Sequence, residues 1–217
     1  MKLYVDSAER TAIESLLKTG VFYGVTTNPL ILKQAGISMK QLPLLADQAF
    51  SSGARELFLQ SWGESAALLQ EHGSMLADIS DKVVVKFPAT REGLEAAARL
   101  SRGGKRVCIT AVYSSYQALL AASVGAEYVA PYLGRMNDAG RDGHLLIRRM
   151  ADALRNTGSP CEILAASVRT PEDVATLSEN GVRCITVSPT VAERFFKESL
   201  TEESALAFES AAKGLER

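Results

Sequence analysis

The chain has 217 residues, 47% hydrophobic and 23% charged, an ordinary globular composition that excludes disordered and fibrous architectures. Twenty-four Lys and Arg against 25 Asp and Glu leave a net charge of −1, without the basic surplus of a nucleic-acid binder, although one small phosphate needs only a local cation or two. The length admits one large domain or two small ones, and shared among eight strand–helix units it gives about 27 residues each, enough for a minimal barrel.

Short β-branched runs alternate with segments of helical period along the whole chain. KLYV at 2–5 precedes a helical stretch at 7–18, and VFYGVT at 21–26 forms the second strand candidate. ELFLQ at 56–60 precedes a helix at 64–77, KVVVKF at 82–87 one at 92–102, and RVCIT at 106–110 one at 113–123. AEYVAPY at 126–132 precedes a helix at 144–156, CEILAA at 161–166 one at 171–180, and RCITVS at 183–188 is the eighth strand. Several runs are continuously apolar, as expected of parallel strands buried on both faces.

Strict alternation allows a closed barrel or an open doubly wound sheet. A dinucleotide-binding open sheet carries a glycine-rich turn after its first strand, whereas here that turn reads Asp6-Ser7-Ala8, so the expected fold is a single-domain (β/α)8 barrel spanning 1–217. Residues 201–215 form an extra C-terminal helix with Ala205, Phe208, Ala212 and Leu215 on one stripe, which packs either on its own barrel or on a neighbouring subunit.

Cys108, Cys161 and Cys184 are odd in number, lack CxxC spacing and sit in apolar runs, so they read as reduced buried thiols of a cytoplasmic protein. His72 and His144 have no partner at ligand spacing, so no metal site is expected. The start, MKLYVDSAER, has no signal-like apolar region, and no run approaches the roughly 18 apolar residues of a membrane span.

Barrel enzymes place their chemistry where strands end, which here selects Asp6, Thr26, Thr27, Asn28, Gln60, Lys86, Thr110, Tyr132, Ser167 and Ser188. Most have an equally good reading as helix caps: Asp6 with Glu9 three positions on, and Asn28 and Ser188 each before a proline. Lys86 is different. Lys2, Lys82 and Lys105 stand where strands begin and a charge can reach water, but Lys86 lies inside VVVKFP near the strand's end. Burying a lysine disfavours its ammonium form, and the neutral amine attacks carbonyls to form a Schiff base. The bland alternative is a snorkelling surface lysine on an irregular strand. Arg135 in PYLGR, with Ser167 and Arg169 in AASVRT, follows the strands where many barrels grip a phosphate.

The segments VD at 5–6, GVTTNP at 24–29, VVVKFPAT at 83–90, GAEYVAPYLGR at 125–135 and ILAASVRTPEDV at 163–174 together resemble the transaldolase family, in its small branch that includes fructose-6-phosphate aldolase. The resemblance spans nearly the whole chain. It implies that Lys86 forms an imine with a substrate ketone, and that Asp6, Thr26 and Asn28 orient or exchange protons with substrate hydroxyls. Gln60 and Tyr132 stand where true transaldolases typically carry Glu and Phe, which favours the aldolase; with Thr110 they would hold the water that moves protons. Arg135, Ser167 and Arg169 would bind a sugar phosphate, with Tyr132 or Asp6 accepting the proton from the C4 hydroxyl. The resemblance further implies no cofactor and a homo-oligomer, pentameric or decameric. Tyr23 and Leu30, flanking GVTTNP, depart from the family's usual acidic or small residue and Ser or Thr, and bear on substrate preference.

Overall fold

In the computed structural model, which describes residues 1–215, eight parallel strands close into a barrel in sequence order, with β1 hydrogen-bonded to β8. The strands are β1 Lys2–Asp6, β2 Gly24–Thr26, β3 Glu56–Gln60, β4 Val83–Pro88, β5 Val107–Val112, β6 Tyr128–Pro131, β7 Glu162–Val168 and β8 Cys184–Val187. Helices follow each strand: α1 Arg10–Lys18; α2 Pro29–Gln34 and α3 Leu42–Ser51, separated by a 3-10 turn at Met39–Gln41; α4 Ala66–Ala77; α5 Arg91–Arg102; and α6 Ser115–Ser123. The last units carry α7 Leu133–Asp138, α8 Gly143–Asn156, α9 Pro171–Glu179 and α10 Pro189–Arg194, and α11 Ser199–Leu215 is the additional C-terminal helix. The fold is therefore a (β/α)8 TIM barrel.

The period of two along each strand divides the core. Tyr4, Phe58, Val84, Cys108, Tyr128, Ala130, Leu164 and Cys184 point inward and fill the barrel, while Val5, Val25, Leu57, Val85, Ile109 and Ile185 point outward beneath the helices. Burial on both faces explains the unbroken apolar runs. At the barrel floor the buried carboxylate of Glu56 accepts hydrogen bonds from Tyr4 Oη (2.6 Å), Tyr128 Oη (3.1 Å) and Arg106 Nη2 (2.6 Å). Lys2 Nζ donates to Tyr128 Oη at 2.7 Å, so this network closes the end opposite the strand termini. Burial and the neighbouring Glu56 push both tyrosines' pKa values up, keeping them as donors.

Several local expectations change. Only Gly24–Thr26 of the second apolar run is strand. A Cβ on Gly24 would stand 2.3 Å from the Glu56 backbone oxygen, so this approach of β2 to β3 requires glycine. The first helix begins at Arg10, capped by Glu9, whose carboxylate accepts from the backbone amides of Thr11 (3.1 Å) and Ala12 (2.8 Å). Asp6 is thus not its cap. Nor does the C-terminal helix pack on its own barrel: every described residue of α11 is exposed, including Phe208 at 73% and Leu206 at 72%. No helix among the described residues is long and apolar enough to cross a membrane.

Candidate active site

At the C-terminal mouth the inward positions turn polar: Asp6 on β1, Thr26 on β2, Lys86 on β4, Thr110 on β5 and Thr186 on β8. Lys86 is 5% exposed, and its Nζ donates to the backbone oxygen of Thr27 at 2.8 Å. The snorkelling alternative falls, because β4 is regular and its flanking side chains Val85 and Phe87 are fully buried on the outer side. Thr26 Oγ1 donates to Asp6 Oδ1 at 2.7 Å and stands 2.6 Å from Thr186 Oγ1. Burial pushes the Asp6 carboxyl above its ordinary range, against the opposing pull of the Lys86 charge and the Thr26 hydrogen bond.

Above Lys86 opens a cavity of about 240 Å3 lined by Asp6, Thr26, Asn28, Lys86, Tyr132, Arg135, Ser167 and Thr186, with Leu30, Ile31 and Gln34 of α2 at one side. Tyr132 Oη lies 3.0 Å from Thr110 Oγ1, joining a phenol to a hydroxyl over the end of β5. Asn28 serves two ends: its Oδ1 caps α2 through the amides of Leu30 (2.9 Å) and Ile31 (3.0 Å), which leaves its Nδ2 to donate toward the cavity. Strands β5 and β7 shift register near their ends, and there Ala111 (φ 58°) and Ser167 (φ 57°) adopt left-handed backbone. These irregularities re-aim the chain beside Thr110 and bring Ser167 into the cavity.

Five residues from the sequence shortlist, Thr27, Gln60, Thr110, Arg169 and Ser188, stand apart from the cavity lining. Gln60 is half-buried at the end of β3, paired in register with Lys86 on the next strand. Arg169 is exposed, and its guanidinium is engaged by both carboxylate oxygens of Asp138. Ser188 is the N-cap of α10, its Oγ accepting from the Val191 amide, and not a cavity residue. Thr186 was missed: it is polar inside an apolar strand and two positions from inward-facing Cys184, so strand parity was the available signal. Among the described residues no group of three or more His, Cys, Asp and Glu side chains could hold a metal ion.

Fold and cavity lining together fit a TIM-barrel enzyme, with the candidate site at the C-terminal mouth around a buried lysine amine. Residues 3–217 match the family model described as Transaldolase/Fructose-6-phosphate aldolase, and the chain belongs to that family. A probable transaldolase of Thermus thermophilus is 36% identical over 211 residues, covering 93% of each chain. One from Oceanobacillus iheyensis is 34% identical over 209 residues, covering 96% of each. Among solved structures, a mandelate oxidase superposes with a TM-score of 0.60 at 14% identity, over 88% of this chain and 65% of that one, which reflects the shared barrel alone.

Proposed function

We propose that this chain is a Schiff-base aldolase that cleaves and forms fructose 6-phosphate from dihydroxyacetone and glyceraldehyde 3-phosphate. The observation that carries the reading is Lys86, buried inside the barrel yet lining a cavity it shares with a carboxylate, hydroxyls and a guanidinium. The Lys86 amine attacks the ketone carbon, and the carbinolamine loses water to give a protonated imine. Tyr132, hydrogen-bonded to Thr110, passes protons during this dehydration, with the water held by Gln60 from the neighbouring strand. Asp6, whose proton affinity burial raises, takes the proton from the C4 hydroxyl as the C3–C4 bond breaks and its electrons flow to the imine nitrogen. The aldehyde departs. The remaining enamine is protonated at carbon, and hydrolysis releases dihydroxyacetone and restores the amine. Thr26 and Asn28 orient substrate hydroxyls, while Arg135 and Ser167 hold the phosphate.

Transfer of the three-carbon unit to another aldehyde is the second reading, favoured by relatives named probable transaldolase. Tyr132 and Gln60 favour hydrolysis, because a phenol can return a proton near the imine carbon and a phenyl ring cannot. Release of glyceraldehyde 3-phosphate from fructose 6-phosphate is therefore expected without an added acceptor; an absolute need for erythrose 4-phosphate would select the transferase. A Gln60→Glu, Tyr132→Phe double variant should shift the balance toward transfer. Three unpaired buried cysteines, with burial pushing the Cys108 and Cys161 thiols up to about 12, suit a cytoplasmic setting.

A further inference from the structure

Beside the sugar cavity lies a second cleft of about 310 Å3, lined by Tyr113, Arg135, Met136, Ala139 and Arg141. Lys86 lines only the first cavity, Arg135 lines both, and Arg141 lines only the second. Arg135 therefore joins the two cavities, with Lys86 on one side and Arg141 on the other.

Each of the two guanidiniums is held by an uncharged group. Arg141 Nη1 donates to the backbone oxygen of Tyr113 at 3.3 Å, and the Arg135 guanidinium lies 5.3 Å over the Tyr132 ring. The Tyr113 ring in turn meets the Tyr132 ring edge-on, with centroids 5.8 Å apart. A carbonyl and a ring face orient these cations without cancelling their charge. Arg99, Arg155 and Arg169, by contrast, pair with Glu95, Asp152 and Asp138. Of the carboxylates nearest in sequence, Asp138 is bound by Arg169 while lying in the field of Arg135, and Asp142 Oδ1 caps α8 through the Leu145 amide at 2.9 Å. Among the described residues neither Arg135 nor Arg141 has a carboxylate within ion-pair distance. Two like charges flanking one cleft repel, and a dianion between them relieves that repulsion while accepting several donors.

We propose that Arg141 and Tyr113 extend the Arg135 phosphate site into a second anion subsite, which takes the terminal phosphate monoester of aldehydes longer than three carbons. This rests on the aldol reading for the identity of the anchored chain, but the anion chemistry can be tested without it. The decisive comparison is kcat/KM for erythrose 4-phosphate relative to glyceraldehyde 3-phosphate as acceptors. Arg141→Ala lowers that ratio about tenfold, the worth of one charged hydrogen bond. Arg149→Ala, the same loss of charge at an exposed position of α8, leaves it unmoved. A ratio equal in parent and Arg141→Ala overturns the subsite.

Calorimetric titration with inorganic phosphate at low ionic strength, compared between parent and Arg141→Ala, separates the second cleft from the Arg135 and Ser167 site. Arg141→Ala weakens phosphate binding about tenfold by the same reasoning; an unchanged affinity overturns the assignment. Competition between phosphate and erythrose 4-phosphate that weakens in Arg141→Ala supports the substrate's own tail as occupant. Phosphate that binds undiminished beside it gives the cleft to a separate phosphorylated molecule and overturns the chain-length reading. Should dihydroxyacetone, which has no phosphate, leave no imine on Lys86, the aldol reading fails alone while the phosphate titration still decides the subsite.

Discussion

Asp6 sits buried against Thr26 in the field of Lys86, and burial lifts its pKa in the folded chain above the unfolded value near 3.9. A carboxyl raised on folding holds its proton more tightly in the native state, so ionising it costs stability. That cost is absent below the unfolded pKa, grows as pH rises through the folded pKa, and is complete above it. Asp6→Asn keeps the shape of the protonated acid. It is therefore expected to be more stable than the parent at about pH 8 and to lose that margin toward pH 4. Denaturant midpoints across this window check the sign, and a margin independent of pH would show that Asp6 ionisation is not its source. The same variant is expected to lose about 10²–10⁴-fold in kcat, as befits removal of a general base.

Between elements, the phosphate end of the site depends on one close contact. A Cβ on Gly134 would stand 2.6 Å from the Ser167 backbone oxygen and 2.7 Å from Arg169 Nε, so only glycine lets α7 lie against the end of β7. Gly134→Ala is expected to part these elements, raising KM for fructose 6-phosphate by about tenfold to a hundredfold through misplacement of Arg135 and Ser167. Steady-state kinetics tests this, and an unaltered KM would mean that the contact does not position the site. Such contacts also show where the sequence stopped being legible. Lys86 could be singled out because a charge amid VVV and FP near a strand's end is rare at a surface, although only the regular, buried β4 removes the snorkelling alternative, and the eight apolar runs marked the strands because they are largely buried on both faces. Thr186 was hidden because its direction depends on strand parity, which an irregular β7 and a short β8 obscure. In sequence Asp6 reads as the cap with Glu9 as its partner three positions on, and only the fold turns Asp6 inward and gives the cap to Glu9. Short helices such as α2 and α7 have too few turns to show a period.

For the whole molecule, about 27 residues per unit leave no room for an inserted domain or lid, so the chemistry comes from strand ends and short loops. What the barrel does not cover is α11, where Leu200, Leu206, Phe208 and Leu215 stand 69–88% exposed. We propose that this apolar surface packs on a neighbouring subunit, in keeping with the ring-shaped assemblies that the family resemblance implies. Phe208→Asp is then expected to lower the sedimentation coefficient to that of a smaller species, whereas a parent chain that already sediments as a monomer would contradict the packing. The central claim remains covalent and is tested most directly by chemical trapping. Borohydride reduction in the presence of dihydroxyacetone or fructose 6-phosphate, followed by peptide mass spectrometry, should place a reduced adduct on the peptide containing Lys86 and none in a Lys86→Met variant. An unmodified Lys86 peptide in the parent would contradict the imine mechanism.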